Sequence, residues 1–404
     1  MRWRLRISRE TKRDLVEGSV SLMLCNVGDY ISGFYLQYFE PIIRSVPLLL
    51  ALLPAASDAR GDVYSSYGSR LGTLLHLGVF DRYIVAELVA LAILIILVNV
   101  WVGALLFLIG LAFRGYSLPL SDLAFVSLLS ALMSAGFMIP STTLLALSSF
   151  RRGWDPDNVV APIATLFGDV VTIPTIIVSY SIALHAPVAL RIATIIALVS
   201  LATAMLIVVA MLKKRNRSFE RCLKIVKENL SVIAVSTTFS ALAGAVLLAN
   251  ISSVLAWKGI IAVVPAFLED GGAIACRFSS RLTTMLHLGR VKPSLIPRER
   301  WVFTQMGVNY VHALMLFTSL GGFGASMALI AGGSLFDAFR VLAVVELAGF
   351  LLTAIVSLLT YFLAVTSYKL GIDPDNVLAP VLTSLADAIG TSSLVLMLMV
   401  MGAT

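Results

Sequence analysis

Two aspartates, Asp169 and Asp387, lie well inside long apolar stretches. Each stands thirteen residues beyond a proline, Pro156 or Pro374, that opens the stretch. At about 1.5 Å per helical residue this is roughly 20 Å along a helix, deep within a hydrocarbon core about 30 Å thick. A carboxylate held there is costly and marks a functional site by default. Thr165 and Thr383 stand four residues earlier on the same helical face, and Pro162 and Pro380 seven residues earlier. If the two carboxylates face each other they repel, and one takes up a proton unless a cation lies between them. Oxygen donors suit hard ions such as Mg2+, Ca2+ or Mn2+. Mg2+ sheds water reluctantly and is usually held by one or two carboxylates plus waters. The expected metal-binding residues are therefore Asp169, Asp387, Thr165 and Thr383, with a divalent cation as ligand and no cofactor.

The two aspartates close duplicated segments. Residues 153–169 and 371–387 share ten of seventeen positions at an offset of 218 residues. Residues 69–78 and 280–289 repeat Ser-Arg-Leu-x-Thr-x-Leu-His-Leu-Gly at an offset of 211. Equivalent acids in two repeats suggest one site built from both halves. The opening Asp155-Pro156-Asp157-Asn158 and Asp373-Pro374-Asp375-Asn376 also suit a helix start: an acidic N-cap, proline in the first position, and a carboxylate in the first turn. The same groups, Asp157, Asn158, Asp375 and Asn376, could gather cations at an inner mouth.

Composition sets the class. The chain is 59% hydrophobic and 13% charged, with a mean hydropathy of +0.94. Soluble domains carry about 25% charge, so this is an all-α integral membrane protein. The net charge of +7 does not call for nucleic acid. Most of the lysines and arginines fall in segments expected on the cytoplasmic side, as the positive-inside rule requires. Cys25, Cys222 and Cys276 share no spacing pattern, and the first and last fall in apolar segments, so neither a disulfide framework nor a zinc site is supported. No nucleophile with a nearby base appears, so an enzyme is not expected.

The duplication orders the chain. Residues 1–17 form a basic cytoplasmic tail, without a cleaved signal peptide. Residues 18–186 form a first five-helix repeat and 230–404 a second. Between them, residues 187–229 supply one linking helix and a basic cytoplasmic loop. Five spans invert orientation and a sixth restores it, so the repeats are expected to lie parallel about an axis along the membrane normal. About eleven spans follow, with the N-terminus cytoplasmic and the C-terminus outside. Within the second helix of each repeat, Pro54 and Pro265 predict a break or kink close to the ion path, since non-helical backbone survives at membrane depth only when buried or lining a cavity.

Other candidates carry plainer readings. His76 and His287 recur, but without a second donor one turn away they are expected to pack. Glu87, Asp122, Asp337 and Glu346 lack duplicated acidic partners and fall outside the expected site. An alternative role for each buried aspartate is an ion pair with the duplicated arginines Arg70 and Arg281.

The duplicated motif Asp-Pro-Asp-Asn-Val-x-Ala-Pro-x-x-Thr-x-x-x-Asp, preceded by Ser-Arg-Leu-x-Thr-x-x-x-Leu-Gly, resembles the membrane domain of the MgtE family, above all its duplicated members among the magnesium solute carriers. The resemblance covers nearly the whole chain apart from the tail and linking helix. It implies a central cation pore in which an aspartate of the fifth helix meets its twin, here Asp169 and Asp387, with the single chain replacing the homodimer of single-copy relatives. The single-copy bacterial relatives also carry a cytosolic magnesium-sensing region, for which this chain has no length, so gating by that device is not expected. Family members usually show Gly-Asn in the second helix; here the pairs are Gly61-Asp62 and Gly272-Ala273, so Gly61, Asp62 and Gly272 join the pore candidates. The expected function is transport of divalent cations, Mg2+ first, across a lipid bilayer. The alternative is a secondary carrier of another solute that uses the acidic pair as a proton relay.

Overall fold

The computed structural model describes residues 9–113, 118–153, 156–213, 216–370 and 374–402. Among these the chain is wholly helical, with eleven long helices and two short ones. In order they are α1 (Arg9–Tyr38), α2 (Glu40–Ser45), α3 (Leu48–His76), α4 (Phe80–Ala112), α5 (Leu120–Arg151), α6 (Pro156–His185), α7 (Val188–Leu212), α8 (Arg217–Ala249), α9 (Ile251–Ala256), α10 (Ile260–His287), α11 (Arg300–Ile330), α12 (Leu335–Lys369) and α13 (Pro374–Val400). Eight of them are long and apolar enough to cross a membrane by length and composition: α4 to α8 and α11 to α13. The other three long helices, α1, α3 and α10, carry more charge. Asp58, Arg60, Asp62 and Arg70 lie on α3, and Glu269, Asp270, Arg277 and Arg281 on α10.

Local chemistry sets the helix ends. Ser334 begins α12 with a capping box: its hydroxyl accepts from the Asp337 amide at 3.1 Å, and the Asp337 carboxylate accepts from the Ser334 amide at 2.8 Å. Gly78 and Gly289 end α3 and α10 with φ of +66° each, a left-handed conformation that glycine adopts without strain. The recurring Ser-Arg-Leu segment thus ends in glycine for a backbone reason.

Two expectations for the second helices change. Both α3 and α10 run unbroken through Pro54 and Pro265. Each proline lies in the second turn, where its ring meets a first-turn carbonyl, that of Leu50 or Ile261, and only one hydrogen bond near the helix start is lost. Both prolines are buried. The interruptions lie earlier, at Val46–Pro47 and around Gly259, whose φ is +84°. The stretch expected as a basic loop is also largely helical, because α8 begins at Arg217, and α1 begins at Arg9 inside the expected tail.

The chain divides into two compact units. One comprises Tyr38–Ala249, holding α2 to α8, and is called the central unit below. The other joins Met1–Gln37 to Asn250–Thr404, so it holds α1 with α9 to α13, and is called the split unit. The first long helix ahead of each duplicated set thus packs with the set from the other half of the sequence. In the split unit, a side chain on Gly33 of α1 would overlap the Ala262 carbonyl of α10. In the central unit, a side chain on Gly244 of α8 would overlap the Ala51 carbonyl of α3. Both partners are related by the offset of 211. Small residues let helix backbones approach this closely where apolar solvent supplies no hydrophobic drive. A second duplicated crossing joins Gly103 of α4 to the backbone of Ala124 on α5, and Gly321 of α11 to that of Leu342 on α12, at an offset of 218.

The central unit carries an ion network centred on an acid that the equivalent position of the split unit does not repeat. Glu87 of α4 is fully buried and accepts from Arg70 of α3 at 2.7 Å and Arg221 of α8 at 2.8 Å. At the position equivalent to Glu87 stands Gln305, also buried. Removing one partner of a buried ion pair costs roughly 3–5 kcal/mol because the remaining charge is stranded. The arginines here keep some exposure, so Glu87→Gln is expected to destabilise by about 2–4 kcal/mol. A fall in melting temperature in detergent checks this; an unchanged one contradicts the network's role.

Candidate functional site

The residues expected to form the site lie where α6 packs on α3 in the central unit and where α13 packs on α10 in the split unit. Asp169 is 7% exposed and Asp387 half-buried. Thr165 and Thr383, one turn earlier, are both half-buried. The neighbouring helix presents a glycine at each crossing. A methyl group on Gly61 would lie 3.8 Å from Thr165 Cγ2, and one on Gly272 would lie 3.2 Å from Thr383 Cγ2. Four expected site residues thus meet in two equivalent pairs, Gly61 with Thr165 and Gly272 with Thr383. Asp155 and Asp373 lie outside the described residues. Asp157, Asn158, Pro162, Asp375, Asn376 and Pro380 lie on α6 and α13, but their side chains are outside those described.

Asp62 points elsewhere. Its carboxylate lies 2.6 Å from Ser236 Oγ on α8, and Asp58, one turn earlier on α3, lies 2.5 Å from the same oxygen. A hydroxyl carries one proton and can donate to only one of them. The split unit has an acidic set at the corresponding crossing of α1 and α10. Asn26, Asp29 and Asp270 are all buried there, and Asn26 Nδ2 donates to Asp270 at 3.4 Å. Nearby, the Tyr30 hydroxyl lies 2.7 Å from Ser319, and the Tyr30 ring stacks on Phe323.

Several sequence expectations are resolved by these contacts. Arg70 turns to Glu87, so the ion pair between Arg70 and Asp169 does not form. Arg60 is the basic residue beside Asp169. It is buried on α3, its Cβ lies near Gly168, and it is close enough to Asp169 for their charges to interact. His76 and His287 pack: their rings meet Phe150 and Tyr368 edge-on, at 5.4 and 5.3 Å between centroids. His76 Nδ1 also lies 2.9 Å from the Gly72 carbonyl. Among the described residues, no group of three or more His, Cys, Asp or Glu side chains converges as a metal centre.

Sequence reasoning passed over Asp29, Asp58, Arg60, Ser236 and Asp270. An isolated polar residue on a membrane helix is a signal in its own right. The search for duplicated positions discounted it: the equivalents of Asp29 and Arg60 are Ser240 and Gly271.

The sequence profile of the MgtE family, described as divalent cation transporter, matches residues 53–179 and 264–397. Among curated proteins, the chain is similar to solute carrier family 41 member 3 of Mus musculus, with 24% identity over 93% of this chain and 80% of that protein. The rat member 3 is 25% identical over 94% of this chain and 85% of its own length. Human solute carrier family 41 member 2 is 24% identical over 93% of this chain and 68% of its own. No solved structure matches.

The two glycine seats differ in room, which generates a test. Replacing a mid-helix glycine by alanine gains about 0.5–1 kcal/mol when the methyl fits. Gly61→Ala should therefore be neutral or stabilising by that amount. At Gly272 the methyl meets the Thr383 backbone at 3.3 Å as well as its side chain, so Gly272→Ala should lower the melting temperature. Equal effects would contradict the difference between the seats.

Proposed function

The chain belongs to the MgtE family of divalent cation transporters, and from that membership we propose that it carries Mg2+ across a membrane along a path to which each half contributes one buried aspartate. It is a multi-pass membrane protein and not an enzyme. The observation that carries the proposal is the recurrence of one arrangement, glycine against threonine with an aspartate one turn on, in both units. In this reading Asp169 and Asp387 meet near the axis between the repeats and bind a largely hydrated ion through its waters. Thr165 and Thr383 add neutral oxygen donors. Two carboxylates balance one divalent ion, which removes the repulsion between them.

The wider architecture follows the same reading. The repeats span 18–186 and 230–404, α7 joins them, and α1, α3 and α10 complete eleven spans despite their charged residues. The N-terminus is cytoplasmic and the C-terminus outside. Asp157, Asn158, Asp375 and Asn376 form an inner mouth, with Pro162 and Pro380 loosening the helix between mouth and site. The single chain takes the place of a dimer.

A second reading draws on the hydroxyl shared by Asp58 and Asp62. There the protein is a secondary carrier in which acidic pairs relay protons, and transport depends on pH and ignores Mg2+. Flux into proteoliposomes separates the two. Asp169→Asn and Asp387→Asn should each lower Mg2+ uptake by at least about tenfold, or 1.4 kcal/mol in activation free energy, with the protein still folded. Undiminished uptake would refute the assignment, and solute uptake driven by a pH gradient without Mg2+ would favour the second reading.

A further inference from the structure

Arg60 has an arrangement that holding the fold together does not explain. It is 2% exposed on α3, one position before Gly61. Its Nη2 donates to Ser130 Oγ on α5 at 2.8 Å. Its Nε and Nη1 find no acceptor among the described residues. A methyl on Gly168 would lie 3.9 Å from Arg60 Cβ, and the next residue along α6 is Asp169. Thus a buried cation with two idle donors stands beside the carboxylate assigned to the ion, without being locked to it. Unmet donors on a buried charge are costly.

The seat for this charge is built. Ser127, Ser130 and Ser134 are buried along α5. Ser127 Oγ donates to Asn99 Oδ1 at 3.3 Å, Ser130 Oγ to the Ser127 carbonyl at 2.9 Å, and Ser134 Oγ to the Ser130 carbonyl at 2.7 Å. The other half lacks every part of it. At the offsets fixed by the duplicated contacts, Gly271 stands for Arg60, and Val345, Ala348 and Leu352 stand for the three serines. Leu352 fills the space there, its Cδ2 lying 2.8 Å from where a methyl on Gly271 would be. The arginine and its polar seat are present together in one half and replaced together by apolar packing in the other.

We propose that Arg60 is a specificity-determining residue, a tethered cation that competes with the transported ion for Asp169 and makes the two carboxylates of the site unequal. The proposal rests on the reading of Asp169 as a cation ligand. Repulsion from the guanidinium grows with the charge of the arriving ion, so a divalent cation feels it twice as strongly as a monovalent one. The half without the arginine holds the ion more tightly, and the half with it favours release.

The test is Mg2+ uptake into proteoliposomes by the full chain over a range of external Mg2+. Arg60→Met removes the charge and keeps a long apolar side chain, a replacement that buried charges commonly tolerate. It should lower the half-saturating Mg2+ concentration at least about tenfold, while Arg60→Lys stays within about threefold of the parent protein. Ser130→Ala removes the hydroxyl that engages Nη2 and should raise half-saturation about threefold or more. Half-saturation unchanged in Arg60→Met, or shifted alike in Arg60→Lys, overturns the proposal. If Arg60→Met does not fold, an unchanged value in Ser130→Ala overturns it. Reduced uptake in Asp169→Asn beside an inert Arg60→Met sinks only this inference; full uptake in Asp169→Asn sinks the site reading beneath it.

Discussion

A carboxylate on a membrane helix persists only where another helix packs closely enough to keep lipid from it. Asp169 and Asp387 meet that constraint through the crossings of α6 on α3 and of α13 on α10. Glycine at each crossing brings the backbones near enough for Thr165 and Thr383 to touch the partner helix. The rest of the scaffold holds these crossings in place. Gly103 and Gly321 join the third and fourth helices of each set, His76 and His287 tie the ends of α3 and α10 to α5 and α12, and Gly33 and Gly244 seat the exchanged first helices. All of these contacts recur at the offsets carried by the sequence motifs. Conserving contact pairs at two fixed offsets is what a duplicated ancestor leaves behind.

The charged groups have not kept that symmetry. Arg60 faces Asp169, and glycine stands in the matching place of the other half. Glu87 anchors two arginines, and glutamine stands in its place. The acids on the second helices are dissimilar too: Asp58 and Asp62 share Ser236 in one unit, while Asp270 meets Asn26 in the other. Packing and charge have therefore diverged at different rates. A fused chain permits this because each half can change independently, whereas a homodimer must carry every substitution twice.

Much of the architecture was legible in the residues. Long apolar runs placed the major helices, and the Asp-Pro-Asp starts placed α6 and α13. Three features were not legible, each for a physical reason. The exchange of α1 and α8 leaves no trace in a linear repeat, because the offset is the same whichever set a first helix packs against. Pro54 and Pro265 suggested a break or kink, but a proline in the second turn costs one bond and leaves the helix unbroken. Arg60 was hidden by its lack of a twin. Its polar seat is supplied by α5, seventy residues further along the chain.

The central claim is that one aspartate from each half binds the same ion. Paired cysteine substitution tests it most directly. Asp169→Cys and Asp387→Cys, made singly and together with the native cysteines replaced, are assayed for block of residual cation flux by Cd2+, a soft ion that two thiolates grip far better than one. The account predicts block at much lower Cd2+ in the double variant than in either single one. Equal sensitivity in all three would mean that the two residues do not share an ion.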